Sequence, residues 1–98
     1  MARDDLIEDW FVLTRETMPA LAAERGRPVR LDHCFQRILL DNAVGARWRD
    51  RIAAPAYRHA TDAQLQRALE LGRAVVAGAQ DLATLNRRSL EWRGKRVR

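Results

Sequence analysis

Apolar residues recur along this chain at spacings of three and four and nowhere alternate for long, so the pattern predicts helices throughout. The strongest instance lies in residues 31–48. Leu31, Cys34, Phe35, Ile38, Leu39 and Asn42 share one helical face there, five of them apolar and the sixth an amide. Asp32 stands where an N-cap belongs, and His33, Gln36, Arg37 and Asp41 occupy the opposite side. This segment reads as a central helix against which the others pack. It runs to about Gly45, which is either its C-terminal residue or a close-packing point inside a longer helix.

In residues 4–25 a second stripe comprises Leu6, Ile7, Trp10, Phe11, Met18, Leu21 and Ala22, with Thr14 filling the gap. Asp4, Asp5, Glu8 and Asp9 crowd its first turns, where the helix dipole favours anions. Pro19 must kink this helix, or stop it and sit in the first turn of a new one. Gly26 and Pro28 end it, and residues 27–30 form an extended connector. Beyond Gly45, residues 46–52 keep a helical pattern, with Trp48 and Ile52 four apart. Pro55 then opens a loop over 54–60 that holds Tyr57 and His59.

The sharpest boundary is Thr61-Asp62-Ala63-Gln64, a capping box. Leu65, Ala68, Leu69, Gly72, Val75 and Val76 follow on one face, and Gly78 ends that helix. Asp81 caps a last helix with Leu82, Leu85, Ser89 and Trp92 on one side, closed by Gly94. No strand or hairpin signal occurs. The fold expected is all-α: a compact bundle of four main helices with a short extra helix near Trp48. Residues 1–94 form a single helical domain in this reading, and 95–98 a basic C-terminal tail.

Composition changes the picture mainly through charge. The formal balance is +5 in 98 residues, but residues 1–26 hold three Arg against six acidic residues, a balance of −3. Residues 27–98 hold fifteen basic against seven acidic, a balance of +8. Seventeen of the eighteen basic residues are Arg. An arginine-biased coding composition explains this without function; partners such as phosphate, carboxylate and aromatic rings, which suit the guanidinium fork, explain it with function. The single cysteine, Cys34, excludes an internal disulfide and fits a cytoplasmic location. No apolar run approaches the roughly 20 residues of a membrane span, so no membrane association is expected.

Phosphate-binding, dinucleotide-binding, nucleophile-elbow and zinc motifs are absent from the sequence, so neither a cofactor nor a metal is expected. His33 and Cys34 are adjacent, but neighbours on a helix diverge by about 100°, which argues against their acting as a base and nucleophile. His33, Arg37 and Asp41, spaced i, i+4, i+8, form either a solvated salt-bridged ridge or, if another segment covers them, a polar constellation. Asn42 on the apolar face needs partners, either in the backbone of the 54–60 loop or in a ligand.

The basic residues gather in two places. Arg47, Arg49, Arg51 and Arg58 flank Trp48 and Tyr57; Arg87, Arg88, Arg93, Lys95, Arg96 and Arg98 flank Trp92. Arginine interleaved with aromatic rings is the composition of surfaces that hold phosphates and stack bases. The leading expectation is therefore a small, basic, non-enzymatic binding module for nucleic acid or another polyanion. Its contacts would be Arg47, Trp48, Arg49, Arg51, Arg58, Arg87, Arg88, Arg93, Lys95, Arg96 and Arg98. A protein-interaction or self-associating module is the alternative, from the complementary acidic and basic regions. A small enzyme or ligand-binding domain, with a pocket around His33, Arg37, Asp41, Asn42 and Tyr57, is the third.

Overall fold

The computed structural model describes residues 2–24 and 32–94, the side chains of Asp32 and His33 excepted. The 27–30 connector, the Gly26 and Pro28 stop, the Asp32 cap and the tail beyond Gly94 lie outside the described residues. Helix α1 spans Arg3–Val12, a π-turn spans Leu13–Thr17, and α2 spans Met18–Glu24 without a break between them. Then come α3 (Asp32–Val44), a 3₁₀ turn (Trp48–Asp50), α4 (Ala56–His59), α5 (Asp62–Val76) and α6 (Leu82–Trp92). With α1 to α2 counted as one rod, four main helices form a compact all-α bundle with a short extra turn at Trp48. Among the described residues there is no strand, and no helix is long and apolar enough to cross a membrane.

Pro19 neither stops the first rod nor simply kinks it. The turn before it widens, so that the Met18 N–H bonds to the Leu13 carbonyl five residues back. Pro19 then sits in the first turn of α2, where a missing donor costs least. The extra residue in that turn shifts the buried line. Leu13 joins Trp10, Thr14, Met18 and Ala22 inside, while Ile7 and Phe11 are only partly buried. Thr14 is fully buried yet satisfied: its hydroxyl donates to the Trp10 carbonyl (2.9 Å) and accepts from the Gln36 amide (3.0 Å).

The core sits between α3 and α5, with α1 and α6 closing its sides. Phe35, Ile38, Leu39, Leu65, Ala68 and Leu69 are wholly excluded from solvent. Gly72 is where the α5 backbone comes nearest its neighbours. A Cβ there would lie 2.9 Å from Leu39 Cδ1 and closer still to the Leu13 side chain, so any larger residue requires those two leucines to shift.

Both caps anticipated for the last two helices form. Thr61 Oγ1 accepts from the Gln64 N–H (3.1 Å) and the Gln64 side chain accepts from the Thr61 N–H (2.8 Å). Asp81 accepts from the N–H and the hydroxyl of Thr84. Thr61→Ala removes one side of the box and is expected to destabilise the protein by about 1 kcal/mol with the fold retained. A urea midpoint identical to the parent's would show that α5 does not depend on this cap. Gly45, at φ +71°, ends α3 in the left-handed conformation and is not an interior packing point.

Two expectations need correction, and an open alternative is resolved. The 54–60 segment is not all loop, because Ala56–His59 makes one helical turn, α4. Its C-terminal carbonyls are capped from across the chain. The Arg3 guanidinium donates to the carbonyls of Tyr57 (3.0 Å), Arg58 (3.1 Å) and Ala60 (2.7 Å) and pairs with Asp62. Trp92 is not core, being 40% exposed. The line of α6 that meets α3 runs through Leu85, Asn86, Ser89 and Arg93, leaving Trp92 on its flank. Finally, the solvated ridge gives way to its stated alternative, a covered polar group, at Arg37 and Asp41. Asp41 is buried because the end of α6 and the 3₁₀ turn cover it.

Candidate functional site

Asp41 organises the region where α3, the 3₁₀ turn and the end of α6 meet. It is 0% exposed, and its carboxylate accepts four hydrogen bonds. Arg93 donates Nε to Oδ2 (2.7 Å) and a terminal nitrogen to Oδ1 (3.0 Å) in a bidentate fork. Ser89 Oγ donates to Oδ2 (2.6 Å), and the backbone N–H of Trp48 donates to Oδ1 (2.9 Å). A carboxylate has about four acceptor positions, so all are filled. The same residue's backbone carbonyl accepts from Gly45 (2.8 Å) and Ala46 (3.2 Å), ending the helix. Asp41 therefore closes α3 with its backbone while its side chain anchors the next two elements.

Arg37 extends this network outward. It donates to Ser89 Oγ (2.7 Å) and to Asn86 Oδ1 (2.9 Å). Arginine can only donate, so Ser89 accepts from Arg37 and passes its own proton toward Asp41. Of the two forms open to this line, Arg37 and Asp41 thus take the covered polar constellation and not the ion-paired ridge. Asp41 pairs with Arg93, while Arg37 has neutral partners and, among the described residues, no carboxylate within ion-pair distance. The His33 side chain lies outside the described residues. Asn42 is also accounted for: its amide donates to the carbonyls of Ile38 and Leu85, both at 2.8 Å, tying α3 to α6. Its partners are helix backbone rather than the 54–60 segment or a ligand, because α6 is what covers that face. No buried side-chain nitrogen or oxygen among the described residues lacks a partner.

In front of this network lies a cleft of about 940 Å³. Five arginines line it: Arg15 from the π-turn, Arg37 from α3, Arg47 and Arg49 around the 3₁₀ turn, and Arg93 after α6. Trp10, Phe11, Trp48 and Tyr57 supply rings, Gln36 a further polar group, and Leu40 and Ala56 apolar surface. No carboxylate is among the described lining residues. Arg93 pairs with Asp41 and Arg47 with Asp50 (3.1 Å), both from outside the lining. Two others meet rings. Arg15 lies over Phe11, 4.0 Å from its centroid, and Arg49 over Trp48 at 5.2 Å. Phe11 and Tyr57 form an edge-to-face pair with centroids 5.2 Å apart, which seats α4 on α1.

The cleft gathers some of the anticipated contact residues and not others. Arg47, Trp48, Arg49 and Arg93 line it, joined by Arg37 and Tyr57 from the pocket alternative. Arg51, Arg58, Arg87 and Arg88 are exposed and do not line it. Lys95, Arg96 and Arg98 lie outside the described residues. Asp41 and Asn42 stand behind the cleft as supports rather than in it. Arg15 and Phe11 were missed by the pattern, which placed them in an acidic helix far along the chain; their i, i+4 spacing was the available signal. Among the described residues no three His, Cys, Asp or Glu side chains converge in a way that would hold a metal ion.

No protein-family model, no curated protein and no solved structure matches the chain. The functional reading rests on the chemistry of the cleft itself.

Proposed function

We propose that the chain is a non-enzymatic binding module whose cleft takes nucleic acid. The observation that carries this reading is one concave surface with five guanidinium groups, four aromatic rings and no carboxylate among its described lining residues. Such a surface attracts polyanions. Its planar donors match phosphate oxygens, and its rings match bases. The Asp41 network holds Arg93 and the Trp48 backbone in place, so part of the ordering cost of binding is met in advance. Nothing in the cleft resembles an acid, base or nucleophile set. Its carboxylate neighbour Asp41 has every acceptor position filled, which speaks against the enzyme alternative. The single cysteine supports a reducing, cytoplasmic setting.

The test is fluorescence anisotropy with a labelled oligonucleotide across a salt series. Binding in the micromolar range or tighter at roughly 0.15 M salt is expected, falling steeply as salt rises, because counterions are released from the phosphates. Replacing Arg47 and Arg49 together by Ala should weaken binding and flatten the slope of log affinity against log salt by about 1.4–1.8, two contacts at roughly 0.7–0.9 each. Replacing Arg87 and Arg88, which are exposed on α6 away from the cleft, should change little. If the α6 pair matters and the 3₁₀ pair does not, the site lies on α6 and the cleft assignment is wrong.

The protein-interaction alternative has one feature in its favour, a groove of about 300 Å³ beside the exposed Val12. The charge complementarity that suggested it is partly satisfied within the chain, where Asp9 pairs with Arg73 (3.3 Å) and Arg3 with Asp62.

A further inference from the structure

We infer that the cleft selects an unpaired strand, with bases stacking on Trp48 and Tyr57 while phosphates meet the arginines. This rests on the nucleic-acid reading of the same cleft and adds the class of ligand. Trp10, Leu40 and Ala56 line the cleft and are buried, so they form its floor. Trp48 and Tyr57 are half-buried and rise from it on two separate elements, the 3₁₀ turn and α4. A duplex presents its phosphates on a convex surface and keeps its base faces stacked inside. Proteins that read it push a helix or ribbon into a major groove about 12 Å wide. This cleft instead sets its rings inside a concavity, where the stacked base faces of a duplex cannot reach them. A single strand can bend into such a concavity and offer base faces.

The rings differ in availability. Phe11 already meets Arg15 and Tyr57, so it serves as a support for Tyr57. Trp48 is covered by the guanidinium of Arg49, an exposed side chain on the same turn. Arg49 can swing outward to a phosphate and leave the indole to a base, one motion providing both contacts. Arg37 has no carboxylate within ion-pair distance among the described residues, and a phosphate would provide a counter-charge. The Trp48 backbone is fixed by the Asp41 carboxylate, which keeps its ring at the cleft. Asp41 is in this sense a positioning residue.

Three labelled ligands of equal length separate the contributions at one salt concentration: an oligonucleotide with bases, an abasic strand with the same phosphates, and the duplex. The strand with bases should bind about five- to a hundredfold more tightly than either of the others, the range that stacking of one base provides. Trp48→Ala should lower affinity for the strand with bases about fivefold or more and leave abasic affinity unchanged. Tyr57→Leu, which keeps an apolar contact against Phe11, should act in the same direction; it serves if the Trp48 variant fails to keep its helical circular dichroism. Equal affinity for the based and abasic strands, or tighter binding of the duplex, overturns the inference and leaves the nucleic-acid reading standing. Failure of all three ligands to bind overturns the reading as well.

Discussion

Asp41→Ala is expected to destabilise the protein by about 3–5 kcal/mol, the usual loss when one member of a buried ion pair is removed. The substitution leaves Arg93, the Ser89 hydroxyl and the Trp48 N–H without their common acceptor. Domains of this size are stable by about 5–15 kcal/mol in all, so much of the margin would go. Asp41→Asn is the sharper comparison, since it keeps the volume and one acceptor oxygen. Its amide also brings two N–H donors against the donors of Arg93 and Trp48, so most of the loss should remain. Urea midpoints at constant m-value give the comparison. If Asp41→Ala unfolds at the parent midpoint, Asp41 is not the anchor described here and the cleft is held some other way.

Phe35→Ala is the second large effect, at about 3–5 kcal/mol. The ring is wholly buried within the cluster that joins α3 to α5, and α3 carries Arg37, Leu40 and Asp41 to the cleft. Truncation leaves a cavity beside Met18, Ala22, Val75 and Leu82, all of them buried, so collapse can recover only part of the loss. This loss comes from packing alone. A Phe35→Leu variant should therefore recover much of it, whereas no apolar residue at 41 replaces the lost acceptor. Near-native stability of Phe35→Ala would mean that the core does not run through this face.

These two residues also show what was legible in the sequence and what was not. Phe35 announces itself, because its apolar neighbours recur at helical spacing over a single segment. The Thr61–Gln64 box is equally plain, since both of its hydrogen bonds span three residues. Asp41 looks like a solvent-side residue on the same helix. What buries it is Ser89 and Arg93, which lie 48 and 52 residues away. A face covered through hydrogen bonds carries no apolar signature, so periodicity assigns it to water. Arg3 is hidden for the same reason, its carbonyl partners being 54 to 57 residues distant. The cleft mixes the two cases. The Arg47–Trp48–Arg49 run is visible as arginine flanking a ring, but Arg15 stands in a segment whose net charge is negative. Only the packing of the π-turn beside α3 brings it to the same surface.

In the proposed reading nucleic acid meets the protein at the cleft, and the three indoles report on that directly. Trp10 is buried beneath the cleft, Trp48 lines it, and Trp92 stands exposed on α6 outside it. Each gives one indole N–H resonance in a nitrogen–proton correlation spectrum of the labelled protein. Titration with a short single-stranded oligonucleotide should move the Trp48 signal most, in a saturable way, while Trp92 stays in place. Movement of Trp92 with Trp48 unchanged, or no movement of any indole at saturating strand, would contradict the assignment of the cleft.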